Sequence, residues 1–299
     1  MRARIRLQRV APLTTIQDVG RFGMLRHGLS ASGPMDRGAF DLAGKLAKAS
    51  GAGIEFTLAG LDLVVESGKC RIGLAGGIFN AKLNGSKLAW PAAAAVSAGD
   101  VLSITPGASG NYGYLRFNSE FGLEPVLGSR ATSTRVRLGG LDGRGLEAGD
   151  LIELTANDQN HYVDHPVPRY EEGPIRFIWG IHAHAFPAEV RDRFCSAAFA
   201  ISRRLDRMGV RLEDEAGVFA STTSLSLVSD AVVPGDIQIL GDGSPIVLMR
   251  DHQPTGGYPR IASMITADLD RFAQMRPGQA VAFAPVSVEH AHRLLRGQK

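Results

Sequence analysis

At 299 residues, with 44% hydrophobic and 21% charged residues, the chain has the composition of a globular protein and is long enough to bury two cores. A formal charge of +3, spread over scattered Arg and Lys rather than a basic run with interleaved aromatics, argues against nucleic acid as a partner. No apolar run reaches the length of a membrane span, no apolar stretch follows the N-terminal charges as in a secretory signal, and Cys70 and Cys195 form no disulfide or metal framework. A cytoplasmic protein with two core-filling thiols and no membrane partner is expected.

In chain order, Arg4-Ile5-Arg6-Leu7 alternates as an early strand would. If Thr15–Val19 is extended, Gln17 and Val19 face one side and Ile16 and Asp18 the other, so Asp18 is either a site group or a paired buried acid. Arg21 follows Gly20 and could pair with Asp18; its planar fork also suits a substrate carboxylate or phosphate. Ser32-Gly33-Pro34-Met35-Asp36 leads into a helix over 35–48, with Pro34 at its first position and Ala39, Leu42, Ala43, Leu46 and Ala47 on one face. The free N–H groups at such a start suit an anion.

Short strands bounded by Gly, Asp and Asn follow: 61–66, 71–75, 101–105, 112–117, 225–229, 237–240, 246–249 and 281–285. Ala98-Gly99-Asp100, Ala148-Gly149-Asp150 and Pro277-Gly278-Gln279 precede apolar residues in the same way and read as one recurring turn. Asn157 to Pro168 is polar and proline-containing and reads as a linker, which divides the chain into domains 1–160 and 170–299. Further helices are expected from Pro187, with Val190, Phe194 and Ala198 inward, over 267–275, and over 288–296 with Ser287 as N-cap. The fold class is mainly β with peripheral helices.

Three segments of the second half carry candidate chemistry. Arg203, Arg204, Arg207 and Arg211 crowd around Gly209, as a solvated face or with one arginine turned inward. Gln238 lies inside an apolar strand, where a buried amide needs partners and is either structural or a ligand contact. Asp251-His252-Gln253-Pro254-Thr255-Gly256-Gly257-Tyr258-Pro259 follows the apolar run 246–249 and packs an acid, an amide, a hydroxyl and a glycine pair at a strand end, where functional side chains tend to be held. The bland alternative is a polar hairpin corner. Gly44-Lys45-Leu46 and Gly68-Lys69-Cys70 lack the Ser or Thr of a P-loop, no GxSxG elbow is present, and the His182/His184 pair lacks a third ligand, so no metal is expected.

Taken together, these segments resemble one family along most of the chain: the C-type subunits of 5-oxoprolinase, also described as the KipA or allophanate hydrolase subunit 2 family of biotin-dependent carboxyltransferase-like proteins. The resemblance is carried, in order, by Thr15-Ile16-Gln17-Asp18-Val19-Gly20-Arg21, Ser32-Gly33-Pro34-Met35-Asp36, Gly53-Ile54-Glu55-Phe56-Thr57, Gly128-Ser129-Arg130, Gly139-Gly140-Leu141-Asp142-Gly143-Arg144, Asp206-Arg207-Met208-Gly209-Val210-Arg211-Leu212, Pro234-Gly235-Asp236-Ile237-Gln238 and Thr255-Gly256-Gly257-Tyr258-Pro259. It departs from the family pattern at Leu205 and Pro254, where a hydroxyl is usual.

The resemblance implies two cyclophilin-like β-barrel domains with a cleft between them. It also implies ATP-dependent opening of 5-oxoproline to glutamate together with two partners, the A-type subunit and the KipI-like B-type subunit of 5-oxoprolinase. On that reading Asp18, Arg21 and Asp251 are catalytic candidates, and Gln17, Ser32, Asp36, Arg207, Gln238, Gln253, Thr255 and Tyr258 bind substrate. The alternatives are half of a carboxyltransferase for urea or an amide, with biotin on a separate carrier, and a non-catalytic KipA-like regulatory partner.

Overall fold

The computed structural model describes residues 3–156, 171–220 and 227–297. The linker expected at 157–168 lies outside the described residues. The chain divides into two compact units, one of residues 1–22 and 31–169 and the other of residues 23–30 and 170–299.

The first unit is built on one highly curved antiparallel sheet. Its strands are β1 (Ala3–Val10), β2 (Thr15–Gln17), β3 (Gly53–Thr57), β4 (Leu61–Ser67), β5 (Lys69–Leu83), β6 (Ser86–Leu88), β7 (Ala92–Ser97), β8 (Val101–Phe117), β9 (Ser119–Phe121) and β10 (Leu151–Ala156). They run in the order β2-β3-β8-β4-β1-β10-β9, with β5 paired to β6, β7 and β8. Strand alternation is visible in β1 and β4, where Ile5, Leu7, Leu61, Leu63 and Val65 are buried and their neighbours are not. The inward faces close on Ile54, Phe56, Phe79, Leu115 and Phe117.

The segments expected as separate strands at 101–105 and 112–117 are one 17-residue strand. Pro106-Gly107-Ala108-Ser109-Gly110 reads as a turn, but it stays paired because β5 shifts register on either side of Ile78 to follow it. The helix α1 (Arg37–Ala47) packs on β5 through small residues. A Cβ at Gly73 would sit 2.1 Å from the Ala43 carbonyl oxygen and 2.5 Å from the Ala47 nitrogen. The helix begins two residues later than expected: Asp36, not the residue before Pro34, caps it by accepting from the Ala39 N–H at 2.8 Å.

The second unit has strands β11 (Ile175–Trp179), β12 (Phe199–Leu205), β13 (Gly209–Glu213), β14 (Asp230–Ala231), β15 (Asp236–Ile239), β16 (Pro245–Leu248), β17 (Thr255–Gly256), β18 (Arg260–Met264), β19 (Ala280–Val281) and β20 (Phe283–Pro285). Its main sheet runs β19-β12-β13-β16-β15-β18-β11-β20, and β14 pairs with β17 as a separate ribbon. The expected single strand over 281–285 has a larger task. Its first part pairs with β12 at one sheet edge and its second part with β11 at the other, so residues 280–285 run from one edge to the other and the sheet curls into a nearly closed barrel.

Phe177, Phe194, Phe199, Phe219 and Phe283 fill the barrel with ring centroids 5.0–6.5 Å apart. Helices α2 (Ala188–Ser196), α3 (Thr266–Ala273) and α4 (Val288–Leu295) flank it. Ser287 caps α4 as expected, whereas Ala198 lies beyond the end of α2 and is exposed. Of the strand expected at 225–229, residues 225–226 lie outside the described residues and 227–229 are not strand.

The recurring turn is real, and it occurs four times among the described residues. In Ser97–Asp100, Glu147–Asp150, Val233–Asp236 and Arg276–Gln279 the third residue is a glycine at φ +93°, +96°, +95° and +85°. In each, the fourth side chain accepts from the first residue's N–H, at 2.7, 2.8, 3.0 and 2.6 Å. Each glycine N–H also reaches a neighbouring strand, at Val65, Leu7, Leu248 and Ile201 respectively. The turn therefore docks onto a sheet rather than leaving it.

Gly73→Ala is expected to lower the stability of the first unit by about 1–3 kcal/mol through overpacking of α1 against β5. Gly145→Ala, whose Cβ would meet nothing closer than 3.5 Å, should stay within about 0.5 kcal/mol. Urea denaturation midpoints of the two variants check this, and equal midpoints would refute the helix-packing role.

Candidate functional site

In the first unit β2 stops at Gln17, so the expected alternation through Val19 does not hold. Gln17 is fully buried and its amide is satisfied. It donates to Thr15 Oγ1 at 2.9 Å and to the Thr132 carbonyl at 3.1 Å, and accepts from the Gly33 N–H at 3.0 Å. Asp18 turns back on the protein, accepting from the Gly20 N–H (2.9 Å), Ser129 Oγ (2.6 Å) and the Arg130 N–H (2.6 Å). The expected Asp18–Arg21 pair does not form. The buried Arg21 guanidinium donates instead to the Ala131 carbonyl, next to a glycine, Gly139, whose Cβ would come within 2.7 Å of Arg21 Nη2. The Gly128-Ser129-Arg130 and Gly139-Gly140 segments thus serve the Gln17–Arg21 segment directly, a role that only the three-dimensional arrangement reveals.

The start of α1 is not open to an external anion, because its anions are the protein's own. The Met35 N–H donates to Glu55 Oε2 at 2.7 Å, the Tyr114 hydroxyl donates to the same oxygen at 2.9 Å, and the Asp36 N–H donates to the Tyr114 hydroxyl at 2.8 Å. Burial, then Glu55 and Asp36, push the Tyr114 hydroxyl well above its usual range. Asp36 is fully buried in this network. Ser32, by contrast, holds a left-handed φ of +58° and a buried hydroxyl with no partner among the described residues, and the buried Thr132 Oγ1 has none there either.

In the second unit the four arginines separate. Arg203 and Arg204 are exposed, Arg211 is half-buried, and Arg207 turns inward at 5% exposure. Arg207 meets Asp251, itself 6% exposed, in a two-point pair: Nε donates to Oδ2 at 2.8 Å and Nη2 to Oδ1 at 3.2 Å. The Asp251 N–H returns to the Arg207 carbonyl at 2.7 Å, and Met249 N–H to the Met208 carbonyl at 2.8 Å. Asp251 does sit just past a strand, β16, but it stays in the interior.

Beyond it, His252 is 4% exposed and its Nδ1 lies 2.6 Å from the Gln253 carbonyl oxygen. The Gln253 side chain donates to Gln238 Oε1 on β15 at 3.3 Å, while the buried Gln238 Nε2 has no partner among the described residues. Gly256 makes this possible, since a Cβ there would fall 2.4 Å from Gln238 Nε2. Thr255 and Tyr258 are exposed. Burial holds the His252 imidazole below its ordinary 6.5, against the opposing pull of its bond to Gln253 and of Asp236 and Asp251.

Other features take structural roles. His182 and His184 lie around a 3₁₀ turn, and His182 Nδ1 accepts from the Arg260 N–H at 3.3 Å. Among the described residues no cluster of His, Cys, Asp and Glu could hold a metal ion. Burial pushes the Cys70 thiol up to about 11, so it stays protonated and inert. No helix of the described residues is long and apolar enough to cross a membrane.

Two β-rich units with strand-end polar clusters match carboxyltransferase architecture. The chain belongs to the family of the carboxyltransferase domain, subdomain A and B, which it matches over residues 27–285. It is 32% identical to the C-type subunit of 5-oxoprolinase from Escherichia coli (strain K12) over 99% of this chain and 95% of that protein. With the C-type subunit from Haemophilus influenzae it shares 33% identity over 94% of this chain and 91% of that protein. It is also 29% identical to urea amidolyase of Saccharomyces cerevisiae over 95% of this chain, which spans 17% of that protein. The solved structure of Kluyveromyces lactis urea carboxylase superposes with a TM-score of 0.86 at 25% identity, covering 99% of this chain and 28% of that one.

His252 gives the second unit a definite pH response. Its folded-state value lies below that of the unfolded chain, so as the pH falls the unfolded state takes up a proton first, and stability present above about pH 6.5 declines below it. His252→Gln, which cannot titrate, should flatten the decline between about pH 7 and 5 in urea melts. An unchanged slope would contradict a buried neutral imidazole.

Proposed function

We propose that this chain is the C component of an ATP-dependent 5-oxoprolinase that works with A-type and B-type subunits to open 5-oxoproline to glutamate. The observation that carries this reading is the match to C-type subunits along nearly the whole of both proteins, whereas the urea amidolyase match occupies a small part of a longer chain. In this scheme the assembly transfers the terminal phosphoryl group of ATP to the lactam oxygen and releases ADP; water adds to the activated ring carbon, the C–N bond opens to give the amine and a carboxylic–phosphoric anhydride, and a second water hydrolyses that anhydride to glutamate and inorganic phosphate. The chain has no P-loop, so the nucleotide is handled with the partner subunits.

Asp251 is the proposed proton acceptor of the second unit. Arg207 uses two of its lone-pair positions and leaves others for a donor such as the attacking water. Arg21 and Asp18 are the proposed counterparts in the first unit, where Arg21 offsets negative charge that develops on the substrate and Asp18 fixes the loop bearing it. Gln17 and Asp36 act as positioning residues. Ser32, with its strained backbone and open hydroxyl, is a proposed substrate contact, as are the exposed Thr255 and Tyr258.

A second reading, transfer of a carboxyl group from biotin on a separate carrier to urea or another amide, is favoured by the urea carboxylase superposition. The two readings part in one assay. Co-expressed with its A-type and B-type partners, the chain should support 5-oxoproline-dependent ATP hydrolysis with glutamate release, and Asp251→Asn should lower the rate about 100-fold or more while the assembly stays intact. Full activity of Asp251→Asn would remove Asp251 from the mechanism. A folded assembly that releases no glutamate but carboxylates urea with a biotin carrier would establish the second reading.

A further inference from the structure

His252 was not among the residues that sequence reasoning assigned to the site, and its geometry gives it a specific capacity. A backbone carbonyl can only accept, so the 2.6 Å contact between His252 Nδ1 and the Gln253 oxygen places the ring proton on Nδ1. Nε2 is left with its lone pair, and among the described residues it makes no hydrogen bond. Across the same residue, Gln253, the side chain of Gln238 is held by its oxygen, which leaves its Nε2 donor buried and unpaired. One unused acceptor and one unused donor, both fixed through Gln253 and both on residues more than nine-tenths buried, form a complementary set.

We infer that His252 Nε2 and Gln238 Nε2 together read a cis amide, the imidazole accepting from the ligand N–H and the glutamine donating to the ligand C=O. A lactam or a urea presents these two groups on one edge, as a fork. A trans peptide bond presents them on opposite sides, so the pair selects cyclic amides and ureas over peptides. The inference deepens the proposed function and rests on it for the nature of the ligand. It gives the N–H to His252 and leaves Asp251 for the attacking water. The imidazole remains an acceptor because burial keeps it neutral, and the groups that face it, Asp236 and Asp251, are held by their own partners, Arg260 with Ser263 and Arg207.

The test uses the full chain with histidine ring nitrogens labelled, titrated separately with 5-oxoproline, with its ring-oxygen analogue 5-oxotetrahydrofuran-2-carboxylate, and with urea. Accepting an N–H moves the Nε2 resonance to lower frequency. 5-Oxoproline or urea should move it and the lactone should not, and the lactam should bind at least about tenfold more tightly than the lactone, the worth of one such hydrogen bond. His252→Ala and His252→Gln should bring the two affinities within about threefold of each other.

Glutamate release by the three-part assembly is measured alongside. If glutamate is released while Nε2 stays unmoved, or while the variants keep the lactam preference, the inference falls and the proposed function stands. If urea moves Nε2 while the assembly releases no glutamate, the inference stands and the 5-oxoprolinase reading falls. An Nε2 unmoved by any of the three, or moved equally by lactam and lactone, overturns the amide fork.

Discussion

The Arg207–Asp251 pair constrains the second unit more than any other single interaction. Removing two opposite charges from water costs several kcal/mol for each, and only good geometry with further hydrogen bonds repays it. Here the geometry is two-pointed, and the backbone N–H of Asp251 completes it by bonding to the carbonyl of the same arginine. The pair therefore clamps the turn between β12 and β13 onto the chain leaving β16. That clamp sets where His252 and Gln253 can lie, and through Gln253 it sets the orientation of the Gln238 amide on β15. Four strands and two turns share one electrostatic anchor.

The first unit solves a similar problem differently. Its signature segment, Thr15 to Arg21, is held by neutral or singly charged hydrogen bonds to loops more than one hundred residues away: Gln17 to Thr132, Asp18 to Ser129 and Arg130, Arg21 to Ala131. Each removes a buried polar group from the unsatisfied state, which would otherwise cost about 1–3 kcal/mol. The helix start behind Ser32 is filled in the same manner by Glu55, Tyr114 and Asp36. Glycines at 20, 33, 139 and 140 matter because these segments approach one another at backbone distance.

What could be read from the sequence was what is local. Alternation in 3–7 and 61–66, the Ser287 cap and the Gly-Asp turns each depend on neighbours within a few residues, and each forms. The joining of 101–105 to 112–117 could not be read, because continuity depended on a register shift in the partner strand at Ile78. Likewise the sequence pointed to Asp251 and to a cluster of arginines but not to Arg207 as its partner, 44 residues away. The proposed Asp18–Arg21 pair failed for the converse reason. Proximity in sequence favoured it, yet Ser129 and the Arg130 N–H offered Asp18 three well-placed donors in all, with Gly20. His252 stood in plain view inside the most polar segment, but a histidine's significance lies in which ring nitrogen is occupied, and that depends on the local fold of residue 253.

The polar groups left open are informative because so few of their neighbours are. A buried, unpaired amide such as Gln238 Nε2 lowers stability, and a hydrocarbon side chain of the same shape would avoid the loss. Gly256 increases the commitment, because it gives up side-chain packing and backbone restriction to let that amide approach. Ser32 shows the same pattern in the first unit, where a left-handed backbone conformation that favours glycine is combined with a buried hydroxyl that none of the described residues satisfies. Folding alone accounts for none of these three choices. A ligand that supplies a carbonyl to Gln238 and a donor to His252 does account for the arrangement around Gln253, since binding would return the free energy that the empty fold gives up.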